Sequence, residues 1–259
     1  MQISQAYIAQ FVARMDALNK AAGRTVLSET AKADLQRRLE EAEEYAYDEV
    51  VGIMRRTVPA YSRLAAAMTC EFYDGIREAS DVKGSFAASM YDGCDEAEVT
   101  HAARAVASEV AKGTATKPLA SLLADTVSRY TRKSSNETVR RNAMRDPSKP
   151  RYAVVPGPGA CAFCLLIASN GYTSPKERGG NYHNHCNCQA VQVYDGQKVQ
   201  GYDPEMYYGQ YTEARDALAS GDIPDELKER IERERAEKGD AFTKTKAELM
   251  VWRYQQNIT

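Results

Sequence analysis

The sequence predicts a mainly α-helical protein with one small α+β module of cysteines and histidines, so that the fold is α+β overall. Apolar residues recur at helical spacing through most of the first 146 residues and again beyond residue 201. Between these regions, a stretch at 151–193 holds a cluster of Cys and His residues. Short β-prone segments lie at its two ends, YAVV at 152–155 and QAVQVY at 189–194.

Length and composition limit the possible organisation of the chain. Its 259 residues suffice for one large domain or two smaller ones, and 43% of them are apolar. A net charge of −2 lacks the basic excess of a general nucleic-acid binder. We predict a helical domain at 1–146, a Cys/His module at 147–200 and a C-terminal helical tail at 201–259. The sequence has no run of eighteen apolar residues, so no membrane span is expected, and no membrane is expected among its partners.

Three N-terminal helices are predicted to form an antiparallel bundle. The first follows the apolar stripe at 3–18 and is expected to end at Gly23. Ser28 is expected to cap a second helix that continues to Met54. Pro59 is expected near the first turn of the third helix, because proline is tolerated at that position.

The next part of the chain is predicted as a loop at 80–93, an alanine-rich helix that opens at His101, and a helix at 117–145. Cys70 and Cys94 have no neighbouring histidine or close second cysteine. Packing in or beside the core is therefore their expected role. No acid or nucleophile at a meaningful spacing accompanies His101, so this side chain is expected to be structural or solvated.

The second half of the 117–145 helix is basic and could contact DNA phosphates. The alternative is that its cations form a solubilising face or pair with the acidic N-terminal helices, and the near-neutral charge of the whole chain favours this alternative. The candidate nucleic-acid-binding residues are Arg129, Arg132, Lys133, Arg140, Arg141 and Arg145.

The spacing of cysteine and histidine in the module is typical of a metal site. A CxxC pair is followed, after a loop, by a second cluster that reads HNHCNC. Two sulfur ligands three positions apart and a distant second cluster suit one tetrahedral zinc ion. The candidate ligands are Cys161, Cys164, His183, Cys186 and Cys188.

Several interpretations of this cluster stay open. The first four candidates make a complete ligand set, with Cys188 as a substitute for His183 or Cys186. His185 is expected to be a bystander. The same cysteines could instead be reduced and packed in the core, since cysteine is among the most buried residue types. A disulfide is a third possibility, although a reducing cytosol disfavours it.

Two further predictions concern the ends of the module and the tail. Pro147 and Pro150 are expected to end the preceding helix, and Gly171 to cap a short helix that follows the first cysteine. In the tail, Pro204 is expected to begin a helix that stops at Gly221. The final segments are expected either to dock on the helical bundle or to bind another subunit.

The module also resembles a known family. VPGPGACAFCLLIASNGYTS followed by NYHNHCNC is similar to the core motif of phage MuF-like head morphogenesis proteins, also called minor capsid proteins. The matching positions are Cys161, Cys164, His183, Cys186 and Cys188, and the flanks extend the resemblance over roughly residues 139–215.

The resemblance implies a structural assembly protein and no enzyme. Such proteins associate with the portal protein, enter the head in few copies, and act in head assembly or DNA delivery. The major capsid protein, the scaffold protein and the packaged DNA are further candidate partners. The implied location is the virion interior, and the host cytoplasm during assembly. Any zinc would then be structural.

Two other functions compete with this one. A zinc-dependent nuclease would use His183 or His185 as general base, and a zinc-finger DNA-binding protein would use the basic helix. The sequence contains no phosphate-binding loop, no GxSxG and no HExxH motif. A zinc deaminase would require a glutamate as general acid and base, and no glutamate lies within the second cluster.

Overall fold

A computed structural model describes residues 2–43, 45–91, 93–157, 159–176 and 188–257 of the chain. Its helices are α1 (Gln5–Lys32), α2 (Leu35–Glu40), α3 (Ala46–Ala79), α4 (Glu96–Ala111), α5 (Leu119–Arg145), α6 (Ala162–Ala168), α7 (Pro204–Ser220), α8 (Asp225–Lys238) and α9 (Lys244–Gln256). Its strands are β1 (Gln2–Ile3), β2 (Arg151–Val155), β3 (Gln189–Val193) and β4 (Lys198–Val199). The predicted mainly helical fold class is confirmed.

Three long helices, α1, α3 and α5, form the body of the protein. The helices α1 and α3 are antiparallel, because Arg14 pairs with Glu71 while the hydroxyls of Thr25 and Tyr61 lie 2.8 Å apart. The predicted bundle of three N-terminal helices is wrong in its membership, because residues 46–54 of the predicted second helix continue into the predicted third as one helix, α3, and the third long helix is α5. Among the described residues, no helix has the length and apolarity that crossing a membrane requires.

The predicted end of the first helix at Gly23 is wrong, because α1 continues to Lys32. A Cβ atom at Gly23 would lie 3.5 Å from the Cβ of Ala124, so this glycine lies where α1 and α5 approach each other closely. The predicted helix from Ser28 to Met54 is also wrong. The chain turns between α1 and α3 at Asp34 and Ala42, both of which have positive φ.

Pro59 does not begin a helix, contrary to the prediction, but lies inside the 34-residue helix α3. Proline has no N–H group, so the helical hydrogen bond to the carbonyl four residues earlier is lost. The helix continues because the residues around the proline are held by packing. Val58 and Ser62 are both fully buried, and α3 packs along α1, α4 and α5. Tertiary contacts therefore override the local penalty.

Two apolar clusters run through the bundle. The first joins α2 and α4 to the second half of α1 and the first halves of α3 and α5, with Leu35, Leu39 and Leu123 fully buried. The second joins the first half of α1 and the second half of α3 to the strands, and it includes Phe72 and Val191. The strands thus bury their apolar side chains against the helical body. The domain boundaries at 146 and 200 stay a prediction.

The strands form two small sheets. In one, β2 and β3 are antiparallel, with Arg151 opposite Val193 and Val155 opposite Gln189. In the other, β1 and β4 are parallel. Both β-prone segments of the sequence are therefore strands, as predicted, and β3 packs on α5. Gly171 has a φ of +67° after α6, in agreement with its predicted role as a cap.

The loop predicted at 80–93 is confirmed for its described residues, 80–91 and 93, and side chains of α5 hold part of it in place. Asn142 accepts a hydrogen bond from the N–H of Ser89 at 2.9 Å and donates one to the carbonyl of the same residue at 2.8 Å. Thr138 accepts one from the N–H of Tyr91 at 3.2 Å. These bonds satisfy backbone groups that have no strand partner.

The C-terminal helices form a third apolar cluster. Asp203 caps α7 by accepting a hydrogen bond from the N–H of Met206 at 3.0 Å, and Gly221 ends the helix with a φ of +76°. Both predicted ends of this helix are confirmed. Trp252 of α9 is fully buried in the cluster, and Leu165 of α6 packs against it. The tail therefore docks on α6.

A buried carboxylate connects these parts. Asp146, which is 2% exposed at the end of α5, accepts hydrogen bonds from the hydroxyls of Tyr73 at 3.1 Å and Tyr194 at 3.2 Å. Arg77 pairs with the same oxygen at 3.1 Å, and Ser148 donates its N–H to the other oxygen at 2.9 Å. The carboxylate thus links α3, α5 and the segment that follows β3.

Arg77 extends this network to the 80–93 loop. Its guanidinium donates to the carbonyls of Gly84 at 2.9 Å and Lys83 at 3.3 Å. Burial opposes the charged form of Asp146, but the Ser148 N–H, Arg77 and Tyr73 together hold the pKa of Asp146 below its ordinary value of 3.8.

We expect Asp146→Asn to lower the free energy of unfolding by roughly 3–5 kcal/mol at neutral pH, because Arg77 stays buried without its counter-charge. A carboxyl whose pKa is lower in the folded than in the unfolded state stabilises the fold above its unfolded pKa. That contribution is lost as the pH falls through the folded pKa. Urea unfolding at neutral pH and below pH 3.8 should therefore show a smaller difference between wild type and variant at the acidic pH. A difference that grows in acid would contradict this prediction.

Candidate functional site

The two cysteines of the CxxC pair lie at the start of α6. Cys161 precedes the helix in an extended conformation, and Cys164 lies in its first turn. Their Sγ atoms are 3.6 Å apart. Two thiolates on a tetrahedral zinc, with bonds of about 2.3 Å, are separated by about 3.8 Å. The spacing therefore fits two corners of a zinc site, and it is far longer than the disulfide bond of about 2.05 Å.

A third predicted ligand joins this pair in space. Cys188, which directly precedes β3, is 1% exposed and packs with Cys164, which is 2% exposed. Val154, Ala160 and Cys161 pack against these two side chains. None of the described cysteines forms a disulfide. The structure thus brings together three thiols from two separate parts of the chain in an apolar setting.

Asn136 of α5 positions the backbone at Cys188. Its side-chain amide donates to the carbonyl of Cys188 at 3.2 Å and accepts from the N–H of Ala190 at 2.6 Å. The amide therefore supplies the two backbone hydrogen bonds that a neighbouring strand would otherwise make with the start of β3. Because Asn136 is itself only 1% exposed, it fixes Cys188 relative to the body of the protein.

Other buried polar groups support the same strand. Ser135, which accepts a hydrogen bond from Thr69 at 2.8 Å, donates to the side chain of Gln189 at 3.5 Å, and Gln192 donates to the carbonyl of Tyr73 at 2.6 Å. On the other side of the cysteines, the hydroxyl of Tyr202 donates to the carbonyl of Ala168 at 2.5 Å. The ends of both cysteine-bearing segments are thus anchored by hydrogen bonds as well as by packing.

The remaining predicted ligands, His183 and Cys186, lie outside the described residues, as does His185. Within the described part of the chain, no group of three or more His, Cys, Asp or Glu side chains is arranged to hold a metal ion. The described cysteines alone therefore do not make a complete site, and the zinc site stays a prediction.

The other cysteines and the third histidine are placed apart from this cluster. Cys94 packs against the first apolar cluster, as predicted. Burial, with smaller contributions from Asp74 and Glu71, raises the pKa of the Cys70 thiol to about 11, so this thiol stays protonated at neutral pH. His101 is exposed on α4, in agreement with the solvated role predicted for it.

Three of the candidate nucleic-acid-binding residues, Arg129, Arg132 and Lys133, contact other side chains of the same chain. Arg132 is only 2% exposed and pairs with Asp16 of α1. Lys133 pairs with Glu98 at 2.8 Å. The guanidinium of Arg129 lies over the ring of its neighbour, Tyr130, at 5.1 Å. For Arg132, the contact corresponds to the alternative in which these cations pair with the N-terminal helices.

The other three candidates, Arg140, Arg141 and Arg145, also contact side chains of the same chain. Arg140 pairs with Glu137 at 2.7 Å. The guanidinium carbon of Arg141 lies 3.5 Å from the centre of the Tyr91 ring. Arg145 donates to the hydroxyl of Ser89. The role of these residues in nucleic-acid binding stays a prediction.

Sequence reasoning did not find the residues that hold the cysteines in place. Asn136, which bonds to the backbone at Cys188, belongs to no recognisable motif, and neither do Asp146 and Arg77 of the buried carboxylate network. One signal was present in the run SSNET at 134–138, which places five polar residues in succession inside a long helix. All five are buried, so this run marks a polar contact surface inside the fold.

Comparison with models of known protein families shows the family of the chain. A model described as VG15 protein matches residues 2–214. The chain belongs to the VG15 protein family. VG15 is a family of viral, phage-type proteins, and the match extends from β1 into α7, including the described cysteines. No curated protein and no solved structure matches the chain.

We expect Asn136→Ala to lower the free energy of unfolding of this VG15 protein by about 1–3 kcal/mol, because the two buried backbone groups beside Cys188 lose their partner. Native-state alkylation, localised by mass spectrometry, should modify Cys188 faster in the variant. The matched control is Ser121→Ala, an exposed change in the same helix that should stay within about 0.5 kcal/mol of wild type. Equal stability of the two variants would contradict the proposed role of Asn136 in holding the backbone at Cys188.

Proposed function

We propose that this VG15 protein is a phage minor head protein of the MuF-like type, which binds the portal and acts structurally in head assembly or DNA delivery. The observation that carries the proposal is the convergence of Cys161, Cys164 and Cys188 in a chain of a viral family. These cysteines occupy three of the five positions of the MuF-like motif. The location follows from the function: the virion interior, with assembly in the host cytoplasm.

A structural zinc ion is part of this proposal. Cys161 and Cys164 supply two sulfurs at a suitable separation. The remaining ligands come from Cys188, His183 and Cys186, and the choice among them stays open. Bound zinc would connect the start of α6 to the start of β3. Its cysteine ligands would be deprotonated to thiolates.

The surroundings of the cysteines support a structural role. Cys164 and Cys188 are almost fully buried, and the residues packed around them are apolar. A structural zinc site is closed in this way, whereas a catalytic site keeps one position open to water and substrate. The site also lies between two parts of the protein, since α6 packs on the C-terminal helices while β3 packs on α5. A metal there would stabilise the assembled shape of the chain.

We expect protein purified without added metal to contain about one zinc per chain by elemental analysis. Cys161→Ser should lose the metal and lower the unfolding temperature, because an ion that binds only the folded state contributes roughly 3 kcal/mol at a hundredfold excess over its Kd. Cys70→Ser is the matched control, since this cysteine lies elsewhere, and it should keep the metal. Metal-free protein with unchanged stability would remove zinc from the proposal and leave the assembly role to be tested separately.

For the assembly role, we expect the chain to co-purify with the portal protein of its own phage when the two are co-expressed. Mass spectrometry should also find it in purified virions at a few copies per particle. Co-expression with the major capsid or scaffold protein alone is the comparison that identifies the portal as the partner. Absence from virions would contradict the proposal. DNA nicking that is lost in His183→Ala would support the nuclease instead.

A further inference from the structure

A cleft opens between the C-terminal helices, and all of its lining residues lie beyond the residues that the family model matches. Its volume is about 610 Å³, within the usual range for binding pockets. The middle of α8 and the segments before and after it supply an apolar lining. The apolar residues are Leu218, Ala219, Ile223, Ile231, Phe242 and Ala247.

The charged residues of the cleft are mostly positive. Glu232 is its one carboxylate among the described residues. The cations are Arg215, Lys228, Arg235 and Lys244. Such a combination of apolar lining and positive charge suits an acidic segment that presents a large apolar or aromatic side chain.

These cations are available to a partner. Lys228 pairs with Asp225 at 2.9 Å and Arg235 with Glu232 at 2.6 Å, but both side chains are about half exposed. Exposed pairs within one helix contribute little, so their cations can turn to carboxylates of a second molecule at small cost. Lys244 is still more exposed, at 79%.

The chain itself carries a segment with the matching chemistry. Residues 34–49, which we call the acidic turn, contain seven Asp or Glu and only two Arg. Tyr45 lies in this turn and is 67% exposed, more than any other large apolar side chain among the described residues. Tyrosine is a frequent anchor at protein interfaces, because it combines a large apolar ring with a polar end.

The acidic turn and the cleft lie in different parts of the fold. The turn contains α2, which packs on α1, α3, α4 and α5 beside the first apolar cluster. The cleft belongs to the third cluster, whose helices pack on one another and on α6. The acidic turn and the cleft therefore belong to different apolar clusters of the same chain.

We infer that the acidic turn of one copy docks in the cleft of a second copy, with Tyr45 on the apolar lining and the carboxylates against the cations. Because two different surfaces meet, the contact is head-to-tail and generates a ring or an open chain of subunits. The contact does not depend on zinc or on the portal, so it can be tested separately from the proposed function.

Sedimentation velocity of the full-length protein over a range of concentrations tests this contact. Wild type should associate at low salt and dissociate as salt rises, since exposed charges are screened. Lys228→Ala with Arg235→Ala, the cleft variant, should weaken association at least about tenfold. The matched control removes two cations of the same helix that do not line the cleft, Arg233→Ala with Lys238→Ala, and should associate like wild type.

A mixing experiment tests the head-to-tail geometry. The turn variant, Glu40→Gln with Tyr45→Ser, should be monomeric alone, like the cleft variant. A mixture of the two should form heterodimers and nothing larger, because only one turn and one cleft stay intact. A monomeric wild type at low salt, a control as weak as the cleft variant, or a mixture without heterodimers would each overturn the inference.

Cross-linking of wild type covers the case in which a variant fails to fold, as circular dichroism would reveal. A carbodiimide joins only carboxylates and amines that are in contact. In a mixture of isotopically light and heavy protein, we expect mixed-label cross-links between the acidic turn and Lys228 or Lys244. Cross-links to the turn that avoid both lysines would overturn the inference.

Discussion

The arrangement of the fold depends on one buried carboxylate. Asp146 is charged although it is almost fully buried, and this is possible because Arg77, Tyr73, Tyr194 and the N–H of Ser148 surround it. Its partners come from different parts of the chain: α3, the turn after α5, and the residue after β3. Removing the carboxylate would take one acceptor from the hydroxyls of Tyr73 and Tyr194 and the counter-charge from Arg77 at once, so these parts are energetically coupled.

The polar residues of α5 extend this coupling to the cysteines. A long helix in a bundle usually buries an apolar stripe, but α5 also buries the polar run at 134–138, whose hydrogen bonds reach both the loop before α4 and the start of β3. Asn136 thereby sets the position of Cys188, and packing brings Cys164 beside it. The protein thus forms much of the cysteine cluster through its own hydrogen bonds and packing, and a zinc ion would reinforce that arrangement.

Membership of the VG15 family shows that the chain is a phage-type protein. The C-terminal helices pack on α6 through apolar side chains around Trp252, and the first turn of the same helix carries Cys164 of the cysteine cluster.

The sequence by itself determined the helical class, both strands of the β2–β3 sheet, the limits of α7 and the candidate ligands, because hydrophobic period, turn residues and Cys/His spacing are local signals. It did not determine where α1 ends or how α3 passes Pro59, since packing against α5 and the other helices outweighs the local preferences of Gly23 and proline. Only the tertiary structure placed Cys188 beside Cys164 and paired Asp146 with Arg77. Those contacts join residues far apart in the chain, and their energy comes from burial and hydrogen bonds that exist only once the chain is folded.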